Sequence, residues 1–372
     1  FWPATMYIEG LDQYRGWFQS SLLVAVGALG RGAPFKECVT HGWTVDGEGK
    51  AMHKSLGNGM DPAEIFNKYG ADLLRLWAGS SDYHVDVRCS DEIFKQLSQN
   101  YLKFRNTCKF CLDNLVGFDP DQLVQPGEML ALDKWAVTRL NSLIEKAFAA
   151  YDEYEFHVVS HMINDFCVVD LSSFYFDIIK DRLYCDGEDS LSRRSAQSAM
   201  WMILDAMTRM FAPILAFTCD EIWLAMPHRS EDDGRNVLFN EMVKPYGAYA
   251  LSEGEMAQWA RIAALRGVVN GALEQARADK TIGKSLEAEV DLTVTAEDAF
   301  LADMDAADLA DLLIVSQVRV DVGAEQAVVV RPASGCKCGR CWKVLPTVGS
   351  DAGHPDLCPR CAQVLESLPV IE

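Results

Sequence analysis

The chain has 372 residues, and its 54 acidic and 34 basic side chains give a formal net charge of −20. This length is sufficient for two or three domains with hydrophobic cores, and a hydrophobic content of 49% excludes wholesale disorder. The negative charge, taken alone, argues against sequence-independent binding to nucleic acids or to anionic membranes.

The sequence shows no targeting or membrane signal. It contains no run of about 18 apolar residues that could span a bilayer, and its N-terminus lacks the basic and apolar regions of a signal peptide. Because an initiator methionine is also absent, we expect the chain to be cut from a longer protein. Twelve cysteines, four of them in two close pairs, fit a reducing compartment with one metal site. We therefore expect a cytoplasmic protein with no membrane partner.

The first 85 residues alternate short apolar runs with a helical pattern. Residues 6–9 and 38–46 are predicted strands, and residues 17–29 form a predicted helix between them. This order is typical of a βαβ unit with a parallel sheet. Acidic and amide side chains follow the first strand, where ligands bind in open α/β sheets; they are Glu9, Asp12 and Gln13.

A glycine-rich segment follows the second predicted strand. Four glycines between positions 47 and 59 surround Lys50 and Lys54, so the backbone can bend there and approach a phosphate closely. We expect a mobile loop.

The hydrophobic period changes near Ser90 to that of long helices. Apolar residues recur every three or four positions over 93–115, 163–178 and 196–211, and Pro213 predicts a break after the third helix. The span from about 86 to 230 is therefore a predicted helical bundle. On the first of these helices the basic residues fall opposite the apolar face: Lys95, Lys103, Arg105 and Lys109.

The sequence pattern changes again after residues 230–236, which are predicted to form an exposed connection. Between Leu286 and Val294 apolar and polar residues alternate, which predicts a half-exposed strand in an α+β region.

Two cysteine pairs near the C-terminus form the strongest local motif. Each pair has two intervening residues, and the pairs are separated by sixteen residues: Cys338, Cys341, Cys358 and Cys361. Four thiolates in this arrangement can hold one Zn²⁺ tetrahedrally, and with no open coordination position the zinc is expected to be structural. Cys336 and His354 are spare candidates that we expect not to bind the metal.

Basic and aromatic residues surround these knuckles. Arg340, Lys343 and Arg360 are candidates for contact with a phosphate backbone. Two interpretations of Trp342 stay open, namely that it stacks on a nucleic-acid base or that it packs the small zinc core.

In their order along the chain, these motifs resemble the class I aminoacyl-tRNA synthetases. The family's signature loop reads Lys-Met-Ser-Lys-Ser, and residues 51–55 of this chain read Ala-Met-His-Lys-Ser. Residues 9–18, Glu-Gly-Leu-Asp-Gln-Tyr-Arg-Gly-Trp-Phe, are similar to the isoleucyl branch of that family. Further matches at 70–77, 174–182 and 282–288 extend the resemblance over nearly the whole chain, and the terminal cysteines point to the bacterial zinc-containing type.

The resemblance implies a multidomain fold, α/β plus α, in four parts. Residues 1–85 would be the second half of a Rossmann-like catalytic domain, and residues 86–235 a helical anticodon-binding domain. Residues 236–332 would form an α+β junction domain, and residues 333–372 a zinc-binding module.

The resemblance also assigns roles to individual residues. It implies that Glu9, Gly10, Asp12 and Gln13 contact an aminoacyl-adenylate, and that Lys54 is the catalytic residue that contacts ATP. The chemistry agrees, because a lysine on a mobile loop suits an α-phosphate on which charge builds as pyrophosphate leaves. The remaining members of the implied ATP-binding loop are Ala51, Met52, His53 and Ser55.

Plainer roles remain open for some of these positions. Asp12 could cap the following helix, and Lys54 could be a solvated surface lysine. Trp17 and Phe18 are expected to be core residues. Two departures from the family loop, Ala51 for lysine and His53 for serine, leave Lys54 as the one loop residue carried over firmly.

The implied activity is that of an ATP-dependent ligase. Isoleucine and ATP, with Mg²⁺ expected, would form isoleucyl-adenylate, and the isoleucyl group would pass to the terminal ribose of tRNA(Ile). We expect a monomer whose 372-residue chain is inactive by itself, because the family's His-Ile-Gly-His signature and editing domain are not in this sequence. Two alternatives are a non-catalytic tRNA-binding module and a purely structural zinc scaffold, and neither explains the nucleotide-binding motifs of the first 60 residues.

Overall fold

The computed structural model describes residues 2–367, except for the side chain of Lys54. Within these residues the chain forms helices and four small sheets in the order expected for a βαβ unit, a helical bundle, an α+β region and a knuckle module. None of the described helices is long and apolar enough to cross a membrane.

The chain begins with a parallel βαβ unit. Strand β1 (Ala4–Gly10) pairs in parallel with β2 (Phe35–His41), with Gly10 beside His41 at the carboxyl edge. Between them lies helix α1 (Trp17–Leu23), which continues into a π-helical turn (Val24–Ala28). The predicted first strand, helix and parallel pairing are confirmed.

The second predicted strand, residues 38–46, is wrong as a single element. It is divided between β2 and the short β3 (Thr44–Val45), which pairs in parallel with β4 (Val87–Arg88). The division occurs at Gly42, where an added Cβ would lie 2.3 Å from the carbonyl oxygen of Val85. Only glycine permits this approach of two backbones, so the chain leaves one sheet and joins another there.

Two helices connect the glycine-rich loop to the bundle. Helix α2 (Pro62–Tyr69) is capped by the Asp61 carboxylate, which accepts a hydrogen bond from the Ala63 amide at 2.9 Å. Helix α3 (Ala71–Gly79) packs Leu73 and Leu76 into the main hydrophobic core. The loop is thus tied by two short helices to the largest core of the molecule.

The bundle contains six α-helices in the described part of the chain. They are α4 (Asp91–Asn114), α5 (Ala131–Asp152), α6 (Phe156–Asp165), α7 (Phe176–Cys185), α8 (Leu191–Phe211) and α9 (Ala216–Ala225). A π-helical segment (Phe166–Tyr175) joins α6 to α7 in one continuous rod. The helices predicted at 93–115 and 196–211 are confirmed, as is the break at Pro213. The helix predicted at 163–178 is confirmed as helical, but most of it is π-helical; α5 and α9 were not predicted.

Helix α8 is the centre of the bundle. Every residue from Ser195 to Phe211 except Arg209 is buried. A helix that is buried on all sides must satisfy its polar groups internally, and the Ser195 hydroxyl does so by donating to the Asp133 carboxylate at 2.5 Å. Arg182 donates to the same carboxylate through two nitrogens, at 2.8 and 3.1 Å.

The α+β region begins with a long helix that the sequence did not reveal. Helix α10 (Glu253–Ala278) starts with a capping box between Ser252 and Glu255. The sheet that follows has β5 (Ala288–Val294) in its centre, parallel to β6 (Gln317–Val322) and antiparallel to β7 (Ala327–Pro332). Helix α11 (Ala306–Leu313) precedes β6.

Strand β5 is more buried than its alternating sequence predicts. Its apolar residues are buried, and the acidic side chains of Glu289 and Asp291 are mostly covered because they form ion pairs with Arg319 and Arg331 on the neighbouring strands. The prediction of a half-exposed strand is therefore wrong, since cross-strand ion pairs accommodate the polar positions.

The last described part of the chain is a small knuckle module. It consists of the antiparallel pair β8 (Cys336–Lys337) and β9 (Val344–Leu345), followed by helix α12 (Pro359–Ser367). We refer to residues 335–367 as the zinc module.

Candidate active site and metal centre

Three of the predicted substrate-binding residues lie at or beyond the carboxyl end of β1. Glu9 and Asp12 are exposed, whereas Gly10 is buried. An added Cβ at Gly10 would lie 3.0 Å from the Asp12 Oδ1 and 3.4 Å from the Trp43 ring. The edge therefore offers two carboxylates beside a stretch of backbone that only a small residue leaves open.

Gln13, the fourth residue, connects this edge to helix α1. Its Oε1 accepts a hydrogen bond from the Trp17 amide at 2.9 Å, and its Nε2 donates to Asp12 at 3.3 Å. The alternative role of Asp12 as the cap of α1 is wrong, because Gln13 satisfies the first free amide of that helix. The Asp12 Oδ2 accepts this bond from Gln13, and the Oδ1 remains open to a ligand.

The two aromatic residues at the start of α1 differ in burial. Phe18 is buried as predicted, but Trp17 is 47% exposed and stacks on Tyr7 with ring centroids 4.5 Å apart. The expectation that both are core residues is confirmed for Phe18 and wrong for Trp17.

A carboxylate and an amide organise the glycine-rich loop. The Asp46 Oδ1 accepts from the amides of Glu48 and Lys50, and its Oδ2 accepts from the Asn58 side chain at 2.8 Å. Asn58 also donates to the Ala51 carbonyl and accepts from the His53 amide. The hydrogen bonds from Asn58 and from the Lys50 and Glu48 amides hold the pKa of Asp46 below its usual value. We call residues 46–58 the nucleotide loop, after the role that the sequence predicts for them.

The predicted loop residues lie within this frame of hydrogen bonds, which Asp46 and Asn58 form. Ala51 bridges to Val45 at the end of β3, and Met52 packs against an apolar cluster that contains Ile65. His53 and Ser55 are exposed. The side chain of Lys54, the predicted catalytic residue, lies outside the described residues, so its role stays a prediction.

Sequence reasoning missed Asp46 and Asn58 as the anchors of the loop. Asp46 is the last residue of the second predicted strand, and no motif in the sequence singles out Asn58. The signal that could have found them is an Asp at a turn start, whose side chain commonly accepts from amides two residues further on.

The four predicted metal ligands form one buried cluster. The sulfur atoms of Cys338, Cys341, Cys358 and Cys361 all lie within 4.8 Å of one another. The Cys341 and Cys358 sulfurs are 3.8 Å apart, close to the separation of about 3.8 Å that a tetrahedron with Zn–S bonds of about 2.3 Å requires. The donor set thus fits a structural zinc. Cys336 is exposed, and neither it nor His354 joins the cluster.

One of these thiols, that of Cys338, has a lowered pKa. Burial opposes the charged form of Cys338, but hydrogen bonds from the Cys341, Cys358 and Arg340 amides outweigh burial and lower its pKa to about 6. Because the thiolate is the form that binds metal, the backbone prepares this position for a cation.

The basic residues near the knuckles face inward, so the expectation that they contact a phosphate backbone is wrong. Arg360 forms a two-nitrogen ion pair with Asp181 on α7, at 2.6 and 3.0 Å. Lys343 pairs with Asp311 on α11, and Arg340 donates to the Cys185 carbonyl. These side chains fasten the zinc module to the bundle and to α11.

Trp342 points the other way. It is 59% exposed, so the interpretation that it packs the zinc core is wrong. Its φ of 66° lies in the left-handed region, which costs an L-residue with a side chain roughly 1–2 kcal/mol.

The basic face of α4 is only partly available. Lys95 pairs with Asp91, and Lys109 pairs with Asp113, each within the same helix. Arg105 is exposed and has no acidic partner among the described residues. Internal pairs of this kind reduce the positive potential that the sequence suggested for this face.

Three family models match consecutive parts of the chain. Residues 1–90 match the class I tRNA synthetases for I, L, M and V, residues 133–292 match the anticodon-binding domain of tRNA ligases, and residues 335–364 match the zinc finger found in FPG and IleRS. Their order agrees with the sheet, bundle and knuckles described above.

Curated relatives match almost the whole chain. The isoleucine–tRNA ligase of Geobacter sulfurreducens is 46% identical over 98% of this chain, and that of Moorella thermoacetica is 46% identical over 99%. The chain spans about two fifths of their length, 40% and 41% respectively.

Solved structures share the fold at lower identity. A leucyl-tRNA synthetase of Agrobacterium radiobacter K84, in a ternary complex with tRNA, covers 89% of this chain with a TM-score of 0.50 and 16% identity; 32% of its own chain is matched. The methionyl-tRNA synthetase of Mycobacterium tuberculosis covers 60% with a TM-score of 0.51 and 20% identity, and 44% of its chain is matched. Family models, curated relatives and fold agree: the chain belongs to the isoleucine–tRNA ligase family of class I aminoacyl-tRNA synthetases.

Proposed function

We propose that the protein is an isoleucine–tRNA ligase that activates isoleucine with ATP and transfers it to the terminal ribose of tRNA(Ile). The observation that carries this proposal is identity of about 45% to isoleucine–tRNA ligases over 98% of the chain. The arrangement of an open carboxyl edge on β1 and an anchored nucleotide loop supports it, because both are needed to hold an adenylate.

The edge of β1 would bind the aminoacyl-adenylate. Glu9 and Asp12 present exposed carboxylates that can accept from an ammonium group or from ribose hydroxyls. Gly10 leaves room for the ligand against the backbone, and Gln13 fixes the orientation of Asp12.

The nucleotide loop would bring Lys54 to the α-phosphate. Negative charge builds on this phosphate as the isoleucine carboxylate displaces pyrophosphate, and a positioned cation stabilises it in the transition state. Mg²⁺ would neutralise the phosphates further. Asp46 and Asn58 hold the two ends of the loop together. Only residues 52–57 would therefore have to move to bring Lys54 to the ATP.

The zinc module and the bundle would bind tRNA. Zinc held by the four cysteines would fix the backbone of both knuckles. The outer surface of the module would then be ordered for contact with the tRNA. We propose that the protein is a cytoplasmic monomer.

A non-catalytic tRNA-binding module is the second candidate function. The same bundle and zinc module would serve it, but it does not require the hydrogen-bond frame of Asp46 and Asn58 around the loop. This frame favours the enzyme over the binding module, and also over a zinc-stabilised scaffold.

The test is isoleucine-dependent exchange of pyrophosphate into ATP by the full-length protein. Lys54→Ala should slow the exchange more than tenfold, equivalent to about 1.4 kcal/mol of transition-state stabilisation. Lys36→Ala is the matched control, because Lys36 is exposed on β2 and precedes the carboxyl edge by several residues. An unchanged exchange rate in the Lys54 variant would refute the catalytic role.

A further inference from the structure

Strand β4 is hydrogen-bonded to the short segment that connects the carboxyl edge of β1 with the nucleotide loop. At the edge, an added Cβ on Gly10 would lie 3.4 Å from the Trp43 ring. The Trp43 carbonyl accepts a hydrogen bond from the Val87 amide of β4 at 2.8 Å. Val45, which directly precedes the loop, pairs with Arg88, the last residue of β4. Arg88 therefore lies beside both parts of the proposed nucleotide site.

The guanidinium of Arg88 lies against the first turn of the nucleotide loop. The turn passes through Gly49 at a φ of 86°, and a Cβ added there would lie 3.6 Å from the Arg88 Nη2. The Arg88 carbonyl accepts a hydrogen bond from the Trp77 Nε1 of α3 at 2.9 Å. The backbone that carries this cation is therefore fixed beside the loop by a strand and a helix.

This cation has no partner in the part of the chain that the structure describes. Arg88 is exposed, no carboxylate pairs with it, and no oxygen accepts a hydrogen bond from its guanidinium. The lysines nearby differ in this respect, because Lys50 pairs with Glu48 at 2.6 Å and Lys68 pairs with Asp91. In a chain with 54 acidic side chains, the unpaired guanidinium is available for an anionic ligand.

The anion that suits this position best is a phosphate group. A guanidinium is planar, and two of its N–H groups can donate in parallel to one phosphate. In the proposed reaction Lys54, five residues beyond Gly49, meets the α-phosphate of ATP, so the β- and γ-phosphates need another cation. The isoleucine carboxylate is the other anion of the reaction, but it must lie at the α-phosphate that it attacks.

We propose that Arg88 binds the β- and γ-phosphates of ATP and so stabilises the pyrophosphate that leaves in the activation step. In this step a carboxylate oxygen of isoleucine forms a bond to the α-phosphorus, and the bond from this phosphorus to the oxygen that bridges to the β-phosphate breaks. The electron pair of the broken bond stays on pyrophosphate, where the guanidinium meets the growing negative charge. No proton is transferred. The proposal rests on the proposed function, because that function supplies ATP and isoleucine.

The test measures equilibrium binding of ATP and of AMP, each with Mg²⁺, to the full-length protein. Arg88→Gln should weaken ATP binding about tenfold or more, because it removes charge-assisted hydrogen bonds to the phosphates. AMP lacks the β- and γ-phosphates, so its affinity should not change. Arg88→Lys keeps the charge but not the planar pair of donors, and should lose an intermediate share of the affinity for ATP.

A kinetic readout shows which substrate the residue serves. In isoleucine-dependent pyrophosphate exchange, Arg88→Gln should raise the KM for ATP and for pyrophosphate and leave the KM for isoleucine unchanged. The control Arg235→Gln removes the same charge from an exposed arginine within residues 230–236 and should alter none of the three. Because both side chains are exposed, both variants should unfold at the temperature of the unchanged protein.

The outcomes separate the two proposals. ATP binding by Arg88→Gln as tight as that of the unchanged protein would overturn the phosphate site. An equal loss of affinity for ATP and AMP would also overturn it, because Arg88 would then only support the loop. If the unchanged protein binds ATP but shows no isoleucine-dependent exchange, the proposed function fails, while a selective loss of ATP affinity in Arg88→Gln still supports the phosphate site. If the unchanged protein binds no ATP, both proposals fail.

Discussion

The βαβ unit and the bundle bury their apolar residues to very different degrees. On β1 and α1 many large apolar side chains are exposed, among them Ile8 at 55% and Leu23 at 62%. In α8 almost nothing is exposed, and Leu204 is completely buried. The bundle therefore lies in a filled core, which it shares with α3, α10 and the sheet around β5, whereas the βαβ unit presents an exposed apolar face.

A second difference lies in how the two regions are joined. Asp72 on α3 accepts hydrogen bonds from the Thr218 amide and hydroxyl, both at 2.6 Å, at the start of α9. Arg75 donates to the carbonyls of Ile214 and Pro213. Helix α3 is thus held by the bundle, although it follows the nucleotide loop in sequence. Helix α3 therefore connects the loop region to the bundle.

The largest expected effect concerns the zinc module, whose small core depends on its metal. Structural zinc sites bind with apparent free energies of about 10–16 kcal/mol, so a chelator should unfold residues 335–367 and leave the bundle folded. Metal analysis should find one equivalent of zinc, and limited proteolysis should then cut only this module after chelation. Cys338→Ser should lose the zinc, whereas the control Cys336→Ser should retain it. Less than half an equivalent, with proteolysis unaffected by chelator, would contradict the site.

A matched pair of leucines tests the difference in burial directly. Leu204→Ala creates a cavity in a filled core and should lower the free energy of unfolding by about 2–5 kcal/mol. Leu23→Ala removes the same atoms from an exposed position and should change it by less than about 0.5 kcal/mol. Urea denaturation of the 372-residue chain measures both. Similar losses in the two variants would show that the apolar face of α1 is already covered.

The smallest effect concerns the frame of the nucleotide loop. Asn58→Ala removes hydrogen bonds worth about 1 kcal/mol each. In the proposed activation reaction of the full-length protein it should raise the KM for ATP several-fold, without changing the urea midpoint of the chain. Asn58→Asp is the charged comparison. It should raise the KM for ATP further, because it places a second carboxylate beside Asp46. An unaltered KM in both variants would show that the hydrogen bonds of Asn58 do not contribute to ATP binding.

The same frame has a pH dependence with a defined sign. The pKa of Asp46 is lowered in the folded loop, so ionised Asp46 stabilises the loop above its usual pKa of 3.8, and this contribution is lost as pH falls through the lowered value. Hydrogen exchange of the Glu48 and Lys50 amides, corrected for intrinsic rates, should be protected equally between pH 5 and 8, and less so only in strong acid. Loss of protection near neutral pH would contradict the role of Asp46.

Local sequence patterns predicted local structure well. The bundle helices at 93–115 and 196–211 follow from hydrophobic period, and the metal cluster follows from the spacing of four cysteines. Helix α10 was missed because it contains Gly254, Gly267 and Gly271, which weaken the helical signal although tertiary packing holds the helix.

Contacts between distant residues could not be predicted. Arg360 and Asp181 are 179 positions apart, and no local pattern shows that this arginine faces the bundle and not a phosphate. The same limit applies to Gly42, whose contact with the Val85 backbone divides a strand that looks continuous in sequence.

The central claim is that this chain carries one part of an isoleucine-activating site, connected through α3 to the filled core of the bundle. The most direct test measures isoleucine-dependent pyrophosphate exchange with the full-length protein and with the 372-residue chain in parallel. We predict exchange by the full-length protein, and none by the chain alone although its bundle is folded. Absence of isoleucine-dependent exchange in the full-length protein, or full exchange by the isolated chain, would contradict the account.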